Sequence, residues 1–440
     1  MKKILVAVAI FAAMIGSASA QTKSVADVKK AVTAAEAAAE NPKKSAKLAT
    51  WTKLASAYLS AYDQPTGTLW IGASKQELQL TGLKSPKSSE QVTLMNEQYT
   101  KESYADKDLY YNAASQLVMI DVTKPVYPDA LEKARKAYAT AAELDPAGKK
   151  SKDIAAGLKT ISTKYLNEGM NAYTLGDLKL ASVKFEKAAE AAATAPLSEV
   201  DTTALYNAAF TAWAANDYER AVTFFNKCYD AGYYYDGGEV FAKLHDCYNK
   251  LGDKENAKAV LEEGFTVFPQ SQSILIALIN YYIENKEDPN KLFALLDAAK
   301  QNEPNNASLY YVEGNIYNQL GNTEKAAESY YECAKINPSY EFGYIGAGIM
   351  YYNQAVELSD KAALEMDDKK YEAMMTECED VLMKALDPFE KAFEISKDND
   401  IKTNIAAYLK NIYYRFYGKG GKWEEGYNKY SEIVKNGITE

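Results

Sequence analysis

His245 is the only histidine among 440 residues, and that removes most of the reaction chemistry a chain of this length could house. A Ser/His or Cys/His relay, a multi-histidine metal centre and a histidine proton shuttle all need an imidazole beside a suitable partner. His245 occupies a helical place otherwise held by small residues, so it reads as a partly buried, hydrogen-bonded structural side chain. Cys228, Cys247, Cys333 and Cys378 lack CxxC spacing, which disfavours zinc and redox motifs. Phosphate-cradling loops need GxGxxG or GxxxxGK[ST], and neither occurs. YGKGGKW at 417–423 is glycine-rich, but it lies between two helical stretches with no strand before it and reads as a turn. Acidic pairs such as Glu262/Glu263 and Asp367/Asp368 fit solvated faces of amphipathic helices. No residue is given a catalytic or metal-ligating role, and no cofactor is expected.

The residue in surplus is tyrosine, with 35 copies, many doubled, as at 281–282, 310–311, 330–331 and 351–352. Their setting is visible in GNIYNQLGNTEKAAESYYECAKINP, Gly314 to Pro338. With Leu309–Asn318 as one helix and Thr323–Ile336 as the next, Tyr310, Gly314 and Tyr317 share a face, as do Ala326, Tyr330 and Cys333. Gly314 and Ala326 let two helix axes approach, and Tyr317 and Tyr330 fill the space beside them. Gly321 permits the turn, and Pro338 ends the second helix.

The same arrangement recurs. Gly169, Gly176, Ala181, Phe185 and Ala188 take these places in one stretch, and Ala209, Asn216, Ala221, Phe225 and Cys228 in the next. His245, Gly252, Ala257, Leu261, Gly264 and Pro269 follow, then Asn280, Leu292, Leu296, Ala299 and Pro304. The second-helix markers 181, 221, 257, 292 and 326 are 40, 36, 35 and 34 residues apart. A period settling near ~34, with small-x3-aromatic second helices, is the spacing of a two-helix repeat.

On these residues the chain resembles the tetratricopeptide repeat family, in particular exported members of the Bacteroidota type. WTKLASAY, Trp51 to Tyr58, fits the family's W-x2-L-G-x2-Y with Ala55 in the glycine place, and ALEKARKAYATAAELDP fits a second helix through Ala134, Tyr138, Ala141 and Pro146. The resemblance implies an all-α fold, a right-handed α-solenoid of about eight to nine helical hairpins. Degenerate hairpins are expected over 21–147, a regular array over 148–340, an expanded repeat over 341–400 and a helical cap over 401–440. Residues 64–106 break the period; Gly, Pro and Ser around the β-prone QVTLMNEQY read as a loop with a small hairpin, before a helix beginning near Asp108. Ala385 comes 59 residues after Ala326, so Gln354–Met383 is expected to lengthen two helices.

Members of this family present certain first-helix positions on a concave groove. Carried over, these are Met170, Tyr173, Tyr206, Phe210, Trp213, Asp246, Asn249, Tyr281, Tyr311, Asn315, Asn318, Ile349 and Tyr352. An aromatic, largely uncharged lining suits a protein or peptide ligand; stacking on sugar rings is the alternative, as in the tetratricopeptide-containing outer-membrane starch-binding proteins. Asn315 and Asn318 match the two asparagines of the family's carboxylate clamp, but Tyr311 stands in the place of its lysine. Because successive helices pack in such a fold, Cys228 and Cys247 form a candidate disulfide, with two free buried thiols as the other reading.

Residues 1–20 combine Lys2 and Lys3, an apolar run from Ile4 to Ile15 and Ala18-Ser19-Ala20, the pattern of a secretory signal peptide cleaved after Ala20. No cysteine follows that site, so a lipoprotein is not expected; the periplasm or cell envelope is. The formal net charge is −10, or −12 without Lys2 and Lys3. That opposes nucleic-acid partners and a polybasic lipid contact, and no later stretch is long enough for a transmembrane segment. The expected function is a non-enzymatic interaction scaffold.

Overall fold

The structure, a computed structural model, describes residues 23–269, 271–285 and 288–438. The expected signal peptide lies outside the described residues. The chain forms two compact units, one of residues up to 235 together with 243–257, the other of 236–242 together with 258 onward.

In the first unit α1 (Val25–Glu40), α2 (Pro42–Ser45) and α3 (Leu48–Asp63) precede a short α4 (Lys75–Leu80). Four strands follow, β1 (Ser88–Leu94), β2 (Glu97–Ser103), β3 (Asp108–Tyr111) and β4 (Leu117–Asp121). Then come α5 (Ala130–Glu143), α6 (Ser151–Thr174), α7 (Leu178–Ala193), α8 (Thr202–Ala214) and α9 (Tyr218–Asp230). The hairpin of α10 (Glu239–Lys250) and α11 (Lys254–Val267) contributes residues to both units. The second unit continues with α12 (Gln272–Glu284), α13 (Pro289–Asn302), α14 (Ala307–Gln319) and α15 (Thr323–Ile336). It ends with α16 (Phe342–Ala362), α17 (Asp368–Ile395), α18 (Asn399–Arg415) and α19 (Lys422–Asn436). Chain order thus gives α1 and α2 followed by eight helical pairs, the first being α3 with α5.

One turn chemistry closes several pairs. Gly176, Asn216, Gly252 and Gly321 all have positive φ, at 83, 60, 80 and 76°, so a left-handed residue ends the first helix each time. The next residue caps the second helix: Asp177, Asp217, Asp253 and Asn322 accept from the backbone N–H of Leu180, Arg220, Asn256 and Lys325. Each such cap stabilises its helix by about 1 kcal/mol.

Inside the pairs, glycine makes room for a ring. A Cβ at Gly169 would lie 2.6 Å from Phe185, and one at Gly348 would lie 2.8 Å from Phe389. Tyr330 is held on two sides, since a Cβ at Gly314 would come within 2.6 Å of its ring and one at Gly346 within 2.5 Å. Phe185 and Phe389 are fully buried and Tyr330 is 1% exposed. Close axis approach and aromatic filling are therefore one packing device. The widened spacing before Ala385 is taken up by α16 and α17, 21 and 28 residues long.

The four strands form an antiparallel meander in the order β1-β2-β3-β4. β1 and β2 pair from Ser88↔Ser103 to Leu94↔Glu97 around Met95 and Asn96, both at positive φ, which is the expected small hairpin. The sheet then runs past the expected limit at 106. Where a helix was expected from Asp108, β3 pairs with β2 through Leu109↔Glu102 and with β4 through Leu109↔Ile120. The physical reason is burial: Leu109, Tyr110 and Tyr111 are all covered, leaving a continuous apolar run without the period-two signal of a half-buried strand. Leu109, Tyr111 and Leu117 share a small core with Ala73 and Leu78. The whole inset, residues 64–129, lies between α3 and α5, which still pack on each other. Asn171 on α6 donates to the Ile120 carbonyl at 2.8 Å and ties β4 to the helices.

Candidate functional site

Tyr206, Phe210 and Trp213 are spaced four and three apart on α8 and so lie along one face. The Tyr206 and Phe210 rings are 6.2 Å apart and nearly parallel, and Phe210 and Trp213 are 5.7 Å apart. Only the far end of this row is open: Tyr206 is 2% exposed, while Phe210 and Trp213 are half-buried.

Lys243 and Asp246, three apart on α10, complete the open end. The Trp213 indole N–H donates to Asp246 Oδ2 at 2.6 Å. Lys243 Nζ lies 3.4 Å from the Trp213 ring centroid and 5.9 Å from that of Phe210. A cation over an indole face is worth roughly 0.5–2 kcal/mol, depending on how dry it is. The indole is thus fixed in rotation by a carboxylate and covered on one face by an ammonium group.

The buried end of the row is braced by the loop before α10. Tyr235 stacks on Tyr206 at 4.2 Å, and Tyr233 meets the same ring edge-on at 6.2 Å. Tyr235 holds φ 56°, a left-handed conformation that costs a bulky residue roughly 1–3 kcal/mol. Ring stacking over Tyr206 offsets part of that cost. Burial pushes the Tyr233 hydroxyl above its ordinary value, so this end offers neutral aromatic surface. The arrangement can grip an apolar side chain and its backbone.

The structure therefore brings Tyr206, Phe210, Trp213 and Asp246 into one cluster. Met170 is half-buried and Tyr173 is 8% exposed on α6, and Asn249 is exposed at the end of α10. In the second unit Tyr281 is 5% exposed and edge-on to Tyr282. Tyr311 lies 6.0 Å from Tyr330 and 5.8 Å from Phe342. Asn315 accepts from the Tyr330 hydroxyl at 2.7 Å, so its amide oxygen has an internal partner; Asn318 is half-buried. Ile349 and Tyr352 border the last core cluster, with Tyr352 5.0 Å from Tyr408 and its hydroxyl accepting from Asn411. Sequence reasoning missed Lys243, Tyr233 and Tyr235. Lys243 stands one helical turn before Asp246, but nothing in its spacing placed it over Trp213, and the loop tyrosines carried no periodic signal.

His245 Nδ1 lies 3.0 Å from the Ala257 carbonyl oxygen, a structural hydrogen bond between paired helices. The disulfide weighed for Cys228 and Cys247 is not formed: both are free thiols, each 0% exposed. Among the described residues, no group of three or more His, Cys, Asp or Glu could hold a metal ion. No described helix is long and apolar enough to cross a membrane.

Helical pairs, left-handed turns and glycine-seated rings define a helical-hairpin repeat protein. Residues 175–342 match the family model described as Tetratricopeptide repeat. No curated protein matches the chain. It is similar to a solved tetratricopeptide repeat protein of Bacteroides fragilis NCTC 9343 at 19% identity, over 58% of this chain and 98% of that one, with a TM-score of 0.26. A tetratricopeptide repeat protein from Parabacteroides merdae ATCC 43184 is 14% identical over 58% of this chain and 93% of its own, with a TM-score of 0.29. YrrB, described as a tetratricopeptide protein with an unusual peptide-binding site, is 20% identical over 45% and 93%, with a TM-score of 0.27.

Proposed function

We propose that this chain is a non-enzymatic interaction scaffold that holds a protein or peptide segment against the ring row of α8. The observation that carries the reading is the Trp213 arrangement, a half-buried indole tethered by Asp246, capped by Lys243 and flanked by Phe210. A ring already fixed in place gives contact area with little side-chain entropy left to lose. Met170 and Asn249 extend the lining in the first unit, and Tyr311, Asn315, Asn318 and Tyr352 are the matching positions of the second. Tyr173, Tyr206 and Tyr281, at 8, 2 and 5% exposure, back the lining from behind. Lys243 over one indole face favours a peptide over a sugar, which needs open ring faces. Residues 1–20 act as a secretory leader in this reading, and the folded part works in the periplasm or at the cell envelope.

The test starts with capture from envelope extract, identification of the partner by mass, and calorimetry with the purified pair. Trp213→Ala is expected to weaken binding about 30-fold, as hot-spot rings do. Unchanged affinity, or binding on a glycan array with no protein captured, would reject the reading. A periplasmic product whose mass begins at Gln21 is expected; one retaining Met1 would reject export.

A further inference from the structure

A second feature lies at the opposite end of the first unit's sequence from α8 and does not depend on the ring row. A surface groove of about 650 Å3 is lined by α1, α2 and α3. Its floor is made of small side chains in register, Ala31, Ala35 and Ala38 on α1 with Ala49, Ser56 and Ser60 on α3. Each set is spaced by three, four or seven residues, one stripe per helix. The stripe on α3 spans eleven residue steps, a length of about 16 Å or three helical turns. Hydrogen bonds tie the floor together: the Tyr58 hydroxyl donates to Glu36 across the two helices, and Trp51 Nε1 donates to the Ser45 carbonyl at 2.8 Å.

The rim is basic. Lys23, Lys44, Lys47 and Lys53 all line the groove, and none of the four is ion-paired among the described residues. Residues 23–60 hold seven lysines against three carboxylates, in a chain whose net charge is −10. Of those three acids, Glu36 is engaged by Tyr58 and Asp27 by Ser24. Meanwhile α1 fully buries only Val28 and Val32, while Ala31 and Ala34 on its groove side are exposed and Ala35 and Ala38 only half-buried.

We infer that this groove docks an acidic amphipathic helix of a partner protein, laid along the alanine and serine floor with its carboxylates on the lysine rim. Small residues at a contact bring helix axes to the near end of the usual 8–10 Å range, which suits a third helix better than an extended strand. The floor offers no large apolar side chain to insert among lipid chains, so a protein helix fits it better than a membrane surface. The lysines then supply orientation and a salt-dependent on-rate, and the floor supplies packing.

The experiment uses the full chain and a labelled, helix-stapled synthetic peptide of about 18 residues with glutamates on one face and Leu/Ala on the other. Its twin carries lysine for every glutamate, and phosphatidylglycerol vesicles form a third arm. The glutamate peptide is expected to bind at least about tenfold tighter than its twin, with the preference vanishing in high salt. The combined variant Lys44→Glu/Lys47→Glu/Lys53→Glu should reverse the preference, since these exposed positions leave the helices intact. Ala35→Phe should block both peptides, and Trp213→Ala should change neither. Binding of neither peptide, equal binding of both, a preference untouched by charge reversal, loss in Trp213→Ala, or uptake by vesicles in place of peptide would each overturn the proposal.

Discussion

The ring row of α8 lies on the first helix of its pair and Tyr330 on the second helix of another, α15, and the two are finished in opposite ways. In the first, Tyr206 is sealed while Phe210 and Trp213 stay partly open, and the one polar ring atom of Trp213 is bound by a charged group on a neighbouring helix. In the second, Tyr330 is 1% exposed between two glycines, and its hydroxyl is bound by Asn315 from the adjoining helix. Similar aromatic content therefore gives a partly open row in one place and a sealed core in the other. Tyr330 is seated against Gly314 and Gly346, whereas Tyr206 is sealed without a glycine, so glycine is one route to burying a ring and the open end of the α8 row is set by its neighbours on α10.

The largest effect expected from this difference is on stability. Tyr330→Ala should cost about 4 kcal/mol, because a fully buried ring leaves a cavity that two helices cannot close. Trp213→Ala should cost no more than about 1 kcal/mol, as suits a partly exposed side chain. Denaturant unfolding of both variants decides the matter, and equal losses would erase the distinction. Gly314→Leu should approach the Tyr330→Ala loss from the other side, since its Cβ alone would stand 2.6 Å from the ring. Tyr330→Phe sharpens the comparison, with an expected cost of about 1 kcal/mol from the unpaired Asn315 oxygen.

Binding should show the reverse order. If the ring row is the contact surface, Trp213→Ala and Lys243→Ala weaken the partner, while Tyr330→Phe leaves affinity within about twofold. A variant series in which Tyr330→Phe matters as much as Trp213→Ala would mean that the core, and not the exposed end, sets affinity.

A smaller effect is expected in alkali. Burial pushes the hydroxyls of Tyr111 and Tyr430 from 10.0 up to about 12. A raised folded-state value contributes stability that is complete below the unfolded value and is lost as pH rises through the folded one. The midpoint of thermal unfolding should thus be flat below about pH 10 and fall between there and pH 12, with tyrosinate absorbance rising along with unfolding. Tyrosinate signal from these rings well before unfolding would show that they are wet.

How much of this was readable beforehand follows the same logic. The helical pairs were legible because Gly169, Ala181 and Phe185 must meet in register, and a requirement for contact writes itself into spacing. The turns were legible because glycine and asparagine are the residues that most readily take the left-handed backbone found at 176, 216, 252 and 321. β3 was not, since Leu109, Tyr110 and Tyr111 are covered on both faces and so lose the alternation that betrays a strand. The concealment of Tyr330 was readable from the small residues Gly314 and Ala326 beside it; the sealing of Tyr206, expected on the same open face as Trp213, was not, because both sit at helical spacing beside other aromatics. Lys243 was overlooked because a charge on a helix ordinarily means solvent; its place over an indole depends on where α10 lies against α8.

The smallest effect concerns the thiols, and it bears on whether the packing between helical pairs is covalent anywhere. Cys228 and Cys247 are fully buried and free, and burial pushes both thiols up to about 12; Cys333 behaves alike. At pH 8 a thiol of that acidity is thiolate in only about one molecule in ten thousand, and thiolate is the reacting species. Reaction with an aromatic disulfide reagent must then wait for local opening, so native protein should consume almost none within minutes. In denaturant all four cysteines should react. Cys228→Ser should shift stability by no more than about 2 kcal/mol, the expected cost of placing a hydroxyl in an apolar site, with no change in the ring row. If only two thiols appear in denaturant, with a mass two units low in the peptide pair carrying 228 and 247, the two helices are stapled and their packing need not be as good as the free thiols imply.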